Sequence, residues 1–314
     1  MPRYLLRRLA FLILTVLLTS LIIFLVTQYL PGDVARVILG REAGEAAVQA
    51  LRQELGLNDP LPVQYFRWLG NFVRGDWGRS FSTHSDILPL VLERLGNSLM
   101  LTGLTLVISV PLAVFLGVIA GLREDSPLDN LISVTSLSVV GLPEFVTGLI
   151  LIQLFAFRWR IFPANSTIRP GTTFLEALPM LILPALTATL VLLAYIVRLT
   201  RAGVVEELKR SYVRTAELKG LPYRTVIFKH VLRNALLPTI TVIAISFGWL
   251  ISGLIVIENV FNYPGLGRLM VFAIDRRDLP LLQAVTMVAV LGFALANLIA
   301  DLLYAALNPR IRLG

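Results

Sequence analysis

Apolar residues fill this chain in long runs that shorter polar segments separate. A helix rises about 1.5 Å per residue, so roughly 20 apolar residues cross a bilayer core of about 30 Å. Six runs meet that length, near residues 9–30, 98–121, 131–157, 179–202, 236–257 and 281–306. The pattern therefore predicts an all-α integral membrane protein with six transmembrane helices.

The first apolar run follows Arg3, Arg7 and Arg8, as the apolar region of a signal peptide follows its basic start. The run is too long for a signal peptide, however, and it lacks a clear small-residue cleavage site. We interpret it as a retained helix. A cleaved signal peptide is the alternative.

Residues 31–97 form the longest connection between predicted spans and the one external segment large enough to have its own structure. Glu45 to Leu55 has the apolar spacing of an amphipathic helix closed by Gly56, and Val63 to Val73 predicts a second helix. Its aromatic side chains suit a membrane interface, where amphipathic rings collect; they are Tyr65, Phe66, Trp68 and Trp77. The segment is interpreted as a packed cap on the helices, with a docking surface for a soluble partner as the alternative.

Composition agrees with a membrane protein. Apolar residues make up 56% of the chain and charged residues 15%, whereas soluble domains carry about 25% charged residues. Cysteine is absent, which excludes disulfides, thiolate metal sites and cysteine nucleophiles. Only His84 and His230 offer imidazole, so no metal site is expected.

Basic residues in the short connections predict orientation, because cytoplasmic loops carry the excess of lysine and arginine. With both termini in the cytoplasm, the inner segments collect Arg3, Arg7, Arg8, Arg123, the basic residues between Arg198 and Arg233, Arg310 and Arg312. The net charge of +8 is then an orientation signal, and nucleic-acid binding is a poor explanation. The division is a cytoplasmic N-terminus with the first span (1–30), an extracytoplasmic segment (31–97) and a transmembrane core (98–314) that contains a cytoplasmic loop (203–235).

The stretch from Thr200 to Asn234 is the most informative part of the chain, since it is polar and basic between two apolar runs. Within it, Arg214 to Gly220 predicts a short helix stopped by glycine. Ala216 and Gly220 are one helical turn apart on a single face. Such a small-residue face allows another protein surface to approach closely.

This loop resembles the coupling motif of permease subunits in ATP-binding-cassette importers, written Glu-Ala-Ala, three residues, then Gly. Arg214-Thr215-Ala216 followed by Gly220 takes its place, with arginine for the glutamate and threonine for the first alanine. Tyr212 to Ala216 and the tail from Lys229 to Pro238 are similar to the dipeptide and oligopeptide branch. What carries over is a helix and its shape, not a contact that depends on the glutamate.

The resemblance extends along nearly the whole chain. It includes Pro31-Gly32-Asp33, Leu55-Gly56-Leu57, Gly75-Asp76-Trp77-Gly78, Pro264 to Arg268, Arg277-Asp278, Asn297, Asp301, Tyr304 and Pro309-Arg310. Ala284 and Asn308 are mild departures, since the family more often has glycine and aspartate there.

The resemblance implies a set of partners in a prokaryotic plasma (inner) membrane. Two permease subunits form the path, two cytoplasmic ATPases hydrolyse ATP, and an extracytoplasmic substrate-binding protein delivers the substrate. This chain is one permease, paired with a homologous second one. It contains no G-x-x-x-x-G-K-[ST] phosphate loop, so ATP and Mg²⁺ are expected on the ATPases and no cofactor in this chain.

The predicted ATPase-coupling residues are Tyr212, Arg214, Thr215, Ala216 and Gly220, with Glu206, Glu207, Lys209 and Arg210 as flanking charges. A rigid helix transmits a displacement that a flexible loop would absorb. The alternative is a solvated loop whose charges only set orientation.

Polar residues inside the predicted spans are candidates for the translocation path. Pro143 and Glu144 lie near the middle of the third span, where a carboxylate has to face protein or water. Asn297, Asp301 and Tyr304 share one face of the last span. The alternatives are a hydrogen bond from Glu144 to a neighbouring helix, and an ordinary polar cluster for the other three.

The predicted substrate is a di- or oligopeptide, which rests on the family branch alone; oligosaccharides and nickel complexes are the alternatives. The second hypothesis is an ion-coupled secondary transporter. Two intramembrane carboxylates, Glu144 and Asp301, are few for ion coupling, and no repeated halves are evident. An enzyme has little support, since no H-E-x-x-H or G-x-S-x-G motif is present and no catalytic residue is assigned.

Overall fold

The computed structural model describes residues 2–29, 36, 39, 43–54, 56–169 and 171–307. Within them the regular elements are helices, apart from an isolated bridge between Arg79 and Asp86. The helices are α1 (Pro2–Tyr29), α2 (Glu45–Glu54), α3 (Leu61–Arg74), α4 (Ile87–Leu122), α5 (Pro127–Val140), α6 (Glu144–Arg158), α7 (Phe174–Leu208), α8 (Ser211–Leu218), α9 (Tyr223–Ala235), α10 (Leu237–Gly253), α11 (Ile255–Val260), α12 (Leu266–Asp275) and α13 (Leu279–Leu307). The last parts of α6 (Ile152–Arg158) and the middle of α9 (Val226–Val231) are π-helical.

Four helices are long and apolar enough to cross a membrane: α1, α4, α7 and α13. Two further candidates are bent pairs, α5 with α6 at 103° and α9 with α10 at 46°. If each pair is one span, the described residues contain six. The prediction of an all-α integral membrane protein is confirmed.

The third predicted span, 131–157, is not one continuous helix. It is divided into α5 and α6, with a break at residues 141–143. Pro143 explains the break, because proline lacks an N–H and disfavours the helical conformation of the residue before it. Pro111 and Pro184, in contrast, lie inside helices that continue past them.

The amphipathic helices predicted after the first span are present as α2 and α3. Gly56 follows α2 with a φ of 65°, and Gly75 ends α3 with a φ of 83°, a region that glycine adopts without strain. Leu55 and Pro31-Gly32-Asp33 lie outside the described residues. The sequence did not predict α12, which starts directly after Pro264 and Gly265.

The smaller of two compact units contains Pro2–Ser98 and Pro264–Ala294. Within it, α3 packs on α1 through aromatic rings, with Phe24 against Tyr65 and Trp68 at centroid distances of 5.5 and 5.9 Å. Asp278 is fully buried and accepts hydrogen bonds from the Ser80 hydroxyl (2.6 Å) and the Ser82 backbone N–H (3.0 Å). The segment after α1 is thus held by packed rings and a buried carboxylate.

The larger unit contains Leu99–Tyr263 and the described chain from Leu295 onwards. Its core forms around α7, which is the most buried of the four long candidate spans. A Cβ on Gly117 would lie 2.6 Å from the Thr200 Cβ, and one on Gly121 would lie 2.7 Å from the Val204 Cβ. Two small residues four positions apart therefore bring α4 close to α7, as small residues do between membrane helices.

Candidate functional site

The loop between α7 and α10 contains the helix that the coupling motif predicts. This helix, α8, begins three residues before the predicted start and has its last helical residue at Leu218. The Gly220 N–H donates to the Glu217 carbonyl (2.9 Å) and the Leu221 N–H to the Ala216 carbonyl (3.3 Å). Gly220 has a φ of 75°, so this Schellman ending depends on a left-handed residue.

One side of α8 is buried within the chain. Val213 and Ala216 are 4% and 8% exposed, and they pack with Val204 of α7 and with α9. The sequence pattern predicted that Ala216 lies on the docking face. In the structure its methyl group faces the chain's own core. Its small size instead lets α8 lie close to the helices that support it.

The opposite side of α8 is exposed. Arg214, Thr215 and Gly220 lie there, together with Leu218 (81% exposed) and Leu221 (38% exposed). These five residues are called the outer face of α8. Sequence reasoning missed the two leucines, although leucine in an otherwise polar segment is the signal that would have found them. Exposed apolar side chains grouped at the end of a short helix are typical of a surface that another protein covers.

Tyr212 ties α8 to its neighbours. Its half-buried hydroxyl donates to the Glu207 carboxylate at the end of α7 and accepts from the Asn234 side-chain amide of α9 (3.3 Å). Burial, followed by the hydrogen bond to Glu207, raises the pKa of the Tyr212 phenol, which keeps this donor protonated at neutral pH. Tyr212 therefore holds α8 against α7 and α9, and it is not counted in the outer face.

The charges that flank α8 pair within the chain. Arg210 contacts Glu206 (2.5 Å) and Glu207 (3.7 Å), and Lys209 contacts Glu124 (2.9 Å). Exposed ion pairs such as these contribute between zero and about 1 kcal/mol each. Their main effect here is therefore on local orientation and not on stability.

An ion pair beside this loop joins the start of α5 to the C-terminal part of α7. Arg201 of α7 donates from both Nε and an Nη to the two carboxylate oxygens of Asp129 in α5, each at 2.5 Å. Asp129 is 1% exposed and also accepts from the Asp125 backbone N–H (2.9 Å). Sequence reasoning did not predict this ion pair, because Asp129 and Arg201 are far apart along the chain.

Arg201→Met is expected to lower the free energy of unfolding by about 2 kcal/mol, since it leaves the Asp129 carboxylate buried without its cation. This is below the usual cost of breaking a buried pair because the Arg201 side chain is 28% exposed. Adding Asp129→Asn should restore most of the loss. Fluorescence-detected size-exclusion chromatography after heating measures both variants, and a double variant less stable than either single one would contradict the argument.

The larger unit also contains a cavity of about 720 Å³ beside the α5–α6 break. It is lined by Val140, Leu142, Pro143, Glu144, Phe145, Val191, Leu192, Tyr195, Val242, Ile245, Ser246, Trp249 and Val256. Its volume falls within the range of about 300–1,000 Å³ that is common for small-molecule sites. The cavity is mostly apolar, with one carboxylate.

The structure places the predicted path residues in two locations. Pro143 and Glu144 line the cavity, and the Glu144 Oε2 atom is buried without a hydrogen-bond partner in the described part of the chain. Asn297 and Asp301 are half-buried on α13 and do not line the cavity. Pro143 and Glu144 therefore lie together at the cavity, whereas Asn297 and Asp301 lie on a helix that does not line it.

Metal binding finds no support in the described ranges. No group of three or more histidine, aspartate or glutamate residues there is arranged to hold an ion. The chemistry that these two regions offer is a protein contact at α8 and ligand binding in a cavity.

Known membrane transport proteins are similar in sequence to this chain. The family described as the binding-protein-dependent transport system inner membrane component matches residues 113–313, and its N-terminal companion matches residues 1–102. The probable peptide ABC transporter permease protein y4tP of Sinorhizobium fredii is 40% identical over 98% of this chain and 99% of its own length. The glutathione transport system permease protein GsiC of Escherichia coli K12 is 38% identical over 99% of both chains. The resemblance to importer permeases is thus confirmed, and the chain belongs to the family of inner membrane components of binding-protein-dependent transport systems.

Proposed function

We propose that this chain is a permease subunit of an ATP-driven importer for short peptides. The observation that carries the substrate class is the pair of relatives above, one named for peptides and one for glutathione, a tripeptide, each matched over nearly its full length. Oligosaccharides, nickel complexes and ion-coupled secondary transport have no comparable support.

The assembly proposed here follows the family. The chain pairs with a homologous second permease, two cytoplasmic ATPases bind ATP and Mg²⁺, and an extracytoplasmic binding protein delivers the peptide. The chain lies in a prokaryotic inner membrane with both termini in the cytoplasm, in accord with its distribution of basic residues. It has no catalytic role of its own, and ATP hydrolysis belongs to its partners.

We assign ATPase docking to the outer face of α8. Two leucines and Gly220 give this face an apolar contact surface, while Arg214 adds a charge that can orient a partner. The opposite side of the helix is anchored by Val213, Ala216 and the Tyr212 hydroxyl. A displacement of the ATPases would therefore move α8, α9 and the end of α7 as one rigid body instead of bending a loop.

The cavity beside Pro143 is assigned to the substrate path. It lies next to a break in a candidate span, and irregular backbone at membrane depth is tolerated where it lines a cavity or is covered by protein. Its one carboxylate and mainly apolar wall suit a small ligand that has both charged and apolar parts.

Reconstitution of the complete transporter in proteoliposomes tests the proposal. We expect a radiolabelled dipeptide to accumulate only when ATP, the ATPases and the binding protein are all present. Liposomes that contain this permease pair without the ATPases should show background uptake. Accumulation without ATPases would overturn the energy source, and uptake of an oligosaccharide with no uptake of di- or tripeptides would overturn the substrate class.

A further inference from the structure

Among the described residues, Glu144 is the one acidic side chain in the wall of the cavity, and no lysine, arginine or histidine of that part of the chain lines it. Its Oε2 atom is shielded from solvent without a hydrogen-bond partner in the described residues. A buried carboxylate oxygen without a partner is costly, and the cost is removed when a cation binds to it. The cavity therefore has a built-in site for a positive charge that the chain itself does not supply.

Glu144 is held in place by its position in the chain. It is the first residue of α6, directly after Pro143, where the partial positive charge of the helix start favours a carboxylate. The 103° bend between α5 and α6 sets the direction in which α6 begins. The start of α6 therefore holds Glu144 in the cavity wall before any ligand binds.

Aromatic rings complete the chemistry of the site. Tyr195 of α7 and Trp249 of α10 line the same cavity as Glu144. Ring faces of tryptophan and tyrosine attract a cation within about 6 Å of their centres. A carboxylate with two aromatic side chains in one apolar wall is a combination that suits an ammonium group better than an anion.

We propose that Glu144 binds the α-ammonium group of the transported peptide and makes this permease selective for peptides with a free amino terminus. The inference rests on the proposed peptide function and adds the chemical group that the permease recognises. The bond is a charge-assisted hydrogen bond from the ammonium N–H to the Glu144 carboxylate. The remaining cavity wall then contacts the apolar part of the peptide.

The test compares uptake of radiolabelled dialanine and N-acetyl-dialanine by the complete transporter in proteoliposomes, each at a concentration that saturates the binding protein. Glu144→Gln should lower dialanine uptake at least tenfold and leave acetylated dialanine uptake within twofold of its wild-type rate. Glu144→Asp keeps the charge and should remain within threefold for dialanine. Glu93→Gln makes the same chemical change at an exposed position of α4 and should have no effect.

Two results would overturn the inference. One is dialanine uptake by Glu144→Gln within twofold of the wild type, which decides the matter even if the binding protein delivers no acetylated peptide. The other is a structural role for Glu144. It would be indicated if Glu144→Gln lowered the uptake of both peptides equally, or if Glu144→Asp lowered dialanine uptake as much as Glu144→Gln does. A wild-type transporter that accumulates no peptide at all would instead refute the proposed function, so the two failures are distinguishable.

Discussion

Gly203→Val is expected to leave little correctly folded protein. A Cβ at Gly203 would lie 2.4 Å from the carbonyl oxygen of Ala235, well inside van der Waals contact. The obstructing atom belongs to the backbone, so no side chain can rotate away, and α7 and α9 would have to separate. Overpacking of this kind costs about 1–3 kcal/mol and at times more. We expect a loss of at least about 3 kcal/mol, since valine adds three carbons at this contact.

The matched control is Gly103→Val in α4, where an added Cβ has no neighbour within 4 Å. Both variants place valine in a candidate membrane helix, so they share any change in helix propensity and hydrophobicity. The fraction of monodisperse protein after solubilisation and heating, measured by fluorescence-detected size-exclusion chromatography, should fall sharply for Gly203→Val alone. Equal behaviour of the two variants would show that α7 and α9 separate at little cost.

Gly220→Arg is expected to reduce ATP-driven uptake at least thirtyfold while the protein remains inserted. Nothing lies within 4 Å of a Cβ at Gly220, so the substitution meets no steric barrier within the chain. Its left-handed φ of 75° costs a non-glycine residue about 1–2 kcal/mol. The larger effect is at the outer face of α8, where a long charged side chain would hold the ATPase away from Leu218 and Leu221. Uptake in proteoliposomes and retention of the ATPases on the purified permease measure the two consequences.

Gly171→Arg separates the backbone strain from the docking effect. Gly171 also has a positive φ, of 83°, and open space around its Cβ, but it lies in the connection between α6 and α7. Gly171→Arg should therefore have the same conformational cost and transport normally. If Gly220→Arg transports as well as Gly171→Arg does, the outer face of α8 is not the coupling surface.

The long spans and α8 could be predicted because each depends on local sequence. Hydropathy alone located α1, α4, α7 and α13 to within about a turn or two at most ends, since burial in a membrane requires continuous apolar residues. Gly220 marked the end of α8 through its backbone freedom. Hydropathy does not contain direction, however, so it did not predict that the apolar chain turns by 103° at Pro143.

The parts of the site that depend on tertiary contacts could not be predicted. The pairing of Asp129 with Arg201 and the close approach of Gly203 to Ala235 join residues that are distant in sequence. The orientation of Ala216 was also misjudged, because a small residue on a short helix suits a docking face and a tight internal contact equally well. Only packing against Val204 and α9 distinguishes the two.

The break between α5 and α6 affects the expected cellular lifetime of the unassembled chain. A helix that stops and another that starts leave up to four carbonyl and four N–H groups without intrahelical partners, and lipid cannot satisfy them. In the finished complex, neighbouring protein or water has to cover that turn. We therefore expect the polypeptide, when it is synthesised without the proposed second permease, to be recognised by membrane quality-control proteases and to have a shorter cellular lifetime than the co-expressed pair.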